Sequence, residues 1–188
     1  RITEAKGAPL AVEALARLRD GHGLEPELLL AGPAEPAMQR RLQARAEELG
    51  LGRSVRLLGR QSHEAVGELL AGAHAVVVPT LDFDTFPLVV VEAALARAPV
   101  VAARLGGIPE ALEEGSQALL FAPGDAGDCA AVLARTLADR EAAEARAARA
   151  FERARTLTLE RYVQRSREFV AEAAAELGRH PLTAPAPA

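Results

Sequence analysis

Short apolar runs alternate with longer amphipathic stretches along this chain. The runs are Glu27–Gly32 (E-L-L-L-A-G), Ser54–Arg60 (S-V-R-L-L-G-R), Ala75–Pro79, Val100–Ala103 and Ala118–Phe121. They are apolar in succession, not alternating, and end near Gly or Pro, as strands buried on both faces do. Between them lie helical patterns. Leu10, Ala14, Leu15 and Leu18 share one face of a helix over Pro9–Arg19, and Leu42, Ala46 and Leu49 mark a second that Gly50 terminates. Ser62 caps a third through Leu70, a fourth lies between Asp84 and Val100, and Asp125 starts a fifth that runs to about Ala138. Strands and helices alternate about six times, which predicts an α/β fold: a doubly wound, Rossmann-like parallel sheet followed by C-terminal helices. In such sheets ligands bind beyond the carboxyl ends of the strands, where Lys6, Gly32, Gly59, Asp84 and Gly106 should gather.

Arg1-Ile2-Thr3 is too short to be a strand by itself, so the first domain reads as cut within a strand-to-helix turn. Asp139–Arg155, rich in Ala, Glu and Arg, predicts a solvated helix. From Thr158 the positions Leu159, Tyr162, Val163, Phe169 and Val170 mark a longer amphipathic helix, and P-L-T-A-P-A-P-A closes the chain as a disordered tail. The expected division is therefore a ligand-binding domain over 1–157, a helix over 158–178 and a tail over 179–188. No internal repeat is visible.

Composition narrows the function classes. With 188 residues, 49% of them apolar, a sizeable core can form, but with no Trp and one Tyr it must be built from Leu, Val and Ala. A formal charge of −4 gives no support to nucleic-acid binding. The single Cys129 excludes an internal disulfide, fits a reducing compartment and, on an amphipathic helix, reads as a small buried hydrophobe. No apolar run approaches the roughly 20 residues that span a bilayer.

Candidate chemistry concentrates in Val76–Pro109. Asp84 precedes a helix and Glu92 follows eight residues later, so two carboxylates bracket a helix N-terminus that attracts anions through its unpaired N–H groups. A phosphate-bearing ligand with hydroxyls on either side suits that place. Asp84 also reads as a plain helix N-cap, with Asp82 a second candidate for the same contact. Glu92 follows three valines on a helix expected to be largely buried, so it should need a partner: a ribose diol, or Arg97 or Arg104. Gly106-Gly107 should permit a tight turn near the ligand. His63 and His74 have no partners at metal-ligand spacing and read as structural; no metal site is expected.

D-T-F-P-L-V-V-V-E-A, followed by P-V-V-A and G-G-I-P-E, resembles the donor-site signature of the GT-B retaining glycosyltransferases of family four, the glycosyl transferases group 1 domain. The family pattern is E-G-F-P-L-x-x-x-E-A. This chain keeps the spacing of the two acids but has Asp84 for the first and Thr85 for the usual Gly. R-I-T-E-A-K-G likewise is similar to the family's G-R-[LI]-x-x-x-K-G. The resemblance covers residues 1 to about 178 and implies the C-terminal, donor-binding half of a bacterial GT-B enzyme of carbohydrate biosynthesis. It implies that Arg1, Lys6 and the amides at the start of the Phe86 helix (Phe86, Pro87, Leu88, Val89) hold the diphosphate of a nucleotide sugar. It assigns Glu92 to the ribose, Asp84 to the sugar beside the reacting carbon, and the backbone near Gly59-Arg60 to the base. The nucleotide sugar would be a substrate, with no cofactor and no metal required. The partner would be an N-terminal acceptor domain toward which the 158–178 helix crosses, and the isolated fragment should transfer no sugar. A cytoplasmic location follows, with peripheral membrane attachment of a full-length enzyme compatible. Two other readings stay open: a non-catalytic nucleotide-binding or interaction module, and a GT-B nucleotide-sugar epimerase.

Overall fold

The computed structural model describes residues 1–83, 85 and 87–179, with side chains as far as residue 176. The elements in order are α1 (Ala8–His22), β1 (Leu28–Ala31), α2 (Pro36–Glu48), β2 (Val55–Gly59), α3 (His63–Ala71), β3 (Val76–Val78) and α4 (Leu88–Leu95). There follow β4 (Val100–Ala103), α5 (Ile108–Ala111), β5 (Leu119–Phe121), α6 (Ala126–Ala138), α7 (Arg140–Ala154) and α8 (Leu159–Arg179). The caps agree with the residue types that set them. Ser62 accepts from the Ala65 N–H at the start of α3, and Asp125 accepts from the Gly127 and Asp128 N–H groups at the start of α6.

All strand pairing is parallel, as expected, and the alternation of strand and helix holds. The single sheet does not. Five strands form two ladders, β1–β2 and β3–β4–β5, and among the described residues no pairing joins β1 to β3. Burial differs between them as well. β4 and β5 are buried throughout, whereas β1 and β2 alternate half-buried and exposed positions. The runs of leucine overstate the burial of the first ladder because it lacks a neighbour on one side.

Helix α1 joins the two halves. Val12 and Leu15 pack with Leu42, Ala46 and Ile2 over the first ladder; Leu10, Ala14 and Leu18 pack with Val101, Phe121, Cys129 and Leu133 over the second. The near absence of large aromatics is offset by close approach of small residues. Ala143, Ala147, Ala150 and Ala154 recur at helical spacing on α7, all buried, and α7 packs on α4 and α6. This corrects the expectation of a solvated helix: an alanine stripe is a poor hydrophobic signal in sequence yet an effective surface for close helix contact. Arg97, with a left-handed φ of 58°, lays its guanidinium over the Phe151 ring at 3.9 Å.

Residues 1–154 form one compact unit and those from 155 onward a second. The second is built on α8, where Leu159, Tyr162, Phe169 and Val170 are exposed. Among the described residues, no helix is long and apolar enough to cross a membrane.

Candidate functional site

Parallel strands place their carboxyl ends on one side, and the segment Arg1–Gly7 lies across those ends. At β1, the Ile2 N–H donates to the Pro33 carbonyl at 2.9 Å. At β3, the Leu81 N–H donates to the Ala5 carbonyl at 2.8 Å. Gly7, at φ 74°, passes so close to β3 that a Cβ there would stand 1.7 Å from the Pro79 carbonyl oxygen. Lys6 and Thr3 follow a tight turn in which the Lys6 N–H donates to Thr3 Oγ1. Arg1 and Lys6 are both exposed on this side. Glu4 is held outward by Arg41 of α2. The two cations, far from the remaining motifs in sequence, thus share an edge with the loop that follows β3.

Thr80 had no role in the sequence reading. It is buried, and its hydroxyl lies 3.4 Å from the Ala5 carbonyl and 3.3 Å from the Asp82 carbonyl while accepting from the Asp82 N–H at 3.2 Å. A small hydroxyl residue directly after a buried strand is a turn signal of the Ser/Thr type. Here that turn also clips the loop to the N-terminal segment. Beyond it Leu81 and Phe83 are exposed, Phe83 at 76%.

Asp84 and Phe86 lie outside the described residues. Helix α4 begins later than its motif suggests: its first residue is Leu88 and its N-cap position is Pro87. The amides of the first turn are therefore those of Leu88 and Val89, which lack partners within the helix, while the Val90 N–H donates to the Pro87 carbonyl at 3.0 Å. Pro87 itself is buried and, having no N–H, can only shape the turn. Leu88 and Val89 are exposed.

Glu92 is exposed, which overturns the expectation of a buried acid in need of a partner. The alternating burial of α4 explains it: Val90, Val91, Ala93 and Ala94 face the core and Glu92 turns away from it. Neither candidate arginine takes it up. Arg104 is engaged by Glu114, and Arg97 lies over Phe151. Its carboxylate remains accessible on the outer side of the helix.

Gly59 ends β2 with φ 66°, with open space where a Cβ would point, and its carbonyl accepts from the Gly32 N–H at 2.8 Å. Arg60 is exposed beside it, and Gln61 Nε2 returns to the Leu58 carbonyl at 2.6 Å. Of the glycine pair after β4, Gly106 takes the left-handed conformation at φ 57° and Gly107 does not, at φ −79°. His63 is the first residue of α3 and His74 precedes β3; both are exposed. Cys129 is buried on α6, and burial pushes its thiol up to about 12.

The sequence model of the family described as Glycosyl transferases group 1 matches residues 1–153. The chain belongs to this family. Among curated relatives it is 34% identical over 143 residues to a D-inositol 3-phosphate glycosyltransferase of Corynebacterium jeikeium, a match covering 74% of this chain and 34% of the relative. It is 35% identical over 153 residues to glycogen synthase of Mycobacterium tuberculosis, covering 81% and 36%. The chain thus spans about a third of the length of these relatives. Among solved structures, HepE of Anabaena in complex with UDP superposes with a TM-score of 0.80 at 26% identity, over 92% of this chain and 47% of that one. Sucrose-phosphate synthase from Thermosynechococcus elongatus gives 0.78 at 28%, over 92% and 44%. The C-terminal domain of a group 1 family protein from Francisella tularensis shares the fold, with a TM-score of 0.74 at 19% identity over 84% and 82%. The fold is that of a GT-B glycosyltransferase domain.

Proposed function

We propose that this chain is the donor-binding domain of a retaining glycosyltransferase and holds a nucleoside diphosphate sugar across the carboxyl ends of β1, β2 and β3. The observation that carries the reading is the N-terminal segment, which brings Arg1 and Lys6 to the loop between β3 and α4. HepE, a neighbour over nearly the whole chain, binds UDP and UDP-glucose, and a uridine nucleotide is the first ligand to test.

In this reading Lys6 and Arg1 meet the diphosphate, an ammonium point charge and a guanidinium fork being suited to phosphate oxygens. The Leu88 and Val89 amides add the positive end of α4. As the glycosidic bond to the diphosphate breaks, charge grows on the leaving oxygens, and donors already aimed there stabilise it. Glu92 takes the two ribose hydroxyls on its accessible carboxylate, a role that exposure suits better than burial. Asp84 faces the sugar, and the backbone at Gly59-Arg60 meets the base. The acceptor is held by a further domain, against which the apolar stripe of α8 is suited to pack. A cytoplasmic location belongs to the same reading and accords with one buried thiol.

Calorimetry of the 188-residue chain with UDP, GDP and ADP tests this directly. Binding of one nucleotide is expected, weakened roughly tenfold or more by Lys6→Ala or Glu92→Gln, the loss of one charge-assisted contact. A folded domain that binds none of the three is a non-catalytic module instead. In the full-length enzyme, sugar transfer to an acceptor separates a transferase from an epimerase, which needs none.

A further inference from the structure

Among the described residues, Thr80 and Thr136 are the buried polar side chains. The Thr136 hydroxyl donates to the Val132 carbonyl at 2.9 Å, a bond within α6 itself. Thr80 sits instead where two distant parts of the chain meet. Its hydroxyl has one proton and faces two carbonyls, that of Ala5 at 3.4 Å and that of Asp82 at 3.3 Å. Its oxygen accepts from the Asp82 N–H at 3.2 Å. The Ala5 carbonyl is the centre of this junction, because the Leu81 and Asp82 N–H groups also donate to it, at 2.8 and 3.3 Å. Three donors from consecutive residues therefore converge on one carbonyl of the N-terminal segment. The Thr80 hydroxyl, bonded to both sides, holds the turn in the shape that aims them there.

Lys6 stands between the two residues by which that segment is seated. On one side is Ala5; on the other is Gly7, where an added Cβ would stand 1.7 Å from the Pro79 carbonyl oxygen. The Lys6 N–H donates to Thr3 Oγ1 at 3.2 Å and the Gly7 N–H to the Glu4 carbonyl at 2.8 Å, which closes the turn on itself. The backbone that carries the Lys6 ammonium is thus fixed against Pro79–Asp82. A long flexible side chain makes a strong charge-assisted contact only when its root is held in place, and a displacement of about 1 Å is enough to weaken such a site. We propose that Thr80 is a positioning residue: acting through the Ala5 carbonyl, it sets where Lys6 stands relative to the loop after β3, and with it the strength of the contact with a diphosphate. The inference rests on the donor-site reading of Lys6.

Thr80→Val and Thr80→Ala remove the hydroxyl in two shapes, Thr80→Ser keeps it, and Thr136→Val removes the other buried hydroxyl as a control for lost stability. Each variant is titrated by calorimetry with UDP, GDP and ADP. The nucleoside of whichever binds (uridine, guanosine or adenosine) is titrated by NMR, with a urea midpoint on the same samples. Thr80→Val is expected to weaken the diphosphate roughly three- to tenfold and to leave the nucleoside unchanged, and Thr80→Ser to keep the native affinity. In a Lys6→Ala background, Thr80→Val should add no further loss, because the group it positions is gone. Equal weakening of nucleotide and nucleoside, or an equal loss in Thr136→Val, makes the Thr80 hydroxyl a matter of stability alone and overturns the proposal. Additive losses from Thr80→Val and Lys6→Ala overturn it too. A native chain that binds none of the three nucleotides overturns the donor-site reading and this inference together, whereas native binding that Thr80→Val and Thr80→Ala leave intact overturns the inference alone.

Discussion

At the scale of single residues, exposure decides between roles that residue type leaves open. Glu92 illustrates this: three preceding valines suggested burial, yet the helix turns its carboxylate outward, and the arginines offered as partners are engaged elsewhere. Cys129 is the opposite case, a group whose burial was legible from its apolar helix face. With its thiol raised to about 12, the folded protein keeps the proton while the unfolded chain loses it near the ordinary thiol value of 9.0. This contribution to stability is complete below about pH 9 and is lost as pH rises through about 12. Urea denaturation at about pH 8 and about pH 10 should therefore show a steeper loss in the native protein than in Cys129→Ala. Thiol reagents should modify Cys129 only in denaturant.

At the scale of elements, strands and most helix starts were legible because they depend on local chemistry: apolar runs, and Ser62 and Asp125 at caps. Two elements escaped. Helix α5 is four residues long, too short for a periodic signal. Helix α7 was visible as a helix but not as a buried one, because alanine contributes little to a hydrophobic pattern while allowing close packing. Ala150→Glu should therefore destabilise the protein by about 3 kcal/mol or more, as an unpaired buried charge does, whereas Ala148→Glu, on the exposed face, should stay within about 0.5 kcal/mol. Chemical denaturation of the two variants measures the difference, and equal stabilities would return α7 to the solvated helix of the sequence reading.

At the scale of the whole molecule, the N-terminal segment and α1 connect two ladders that do not pair with each other. Gly7 is the narrowest point of that connection, since any Cβ there meets the Pro79 carbonyl at a backbone conformation unfavourable to side chains. Gly7→Ala should cost about 1–3 kcal/mol and weaken nucleotide binding with it, because the loop after β3 and the cations at Arg1 and Lys6 move together. A urea midpoint and a calorimetric titration on one sample check both halves; lost stability with unchanged affinity would separate the scaffold from the site.

The order of strands and helices, their parallel pairing and the membership of the family were determined by the sequence, because each rests on short-range pattern or on motif spacing. The same holds for the candidate set of Arg1, Lys6, Asp84 and Glu92, whose roles the resemblance supplied. Only the tertiary structure decided which of those groups share an edge, that Thr80 clips the loop, that Glu92 faces outward and that α7 is half-buried. It alone showed the strands as two ladders, with no pairing between them among the described residues. The physical reason is common to all of these: they depend on contacts between residues distant in the chain, and no local pattern of apolar and polar positions records what stands on the other side of a contact.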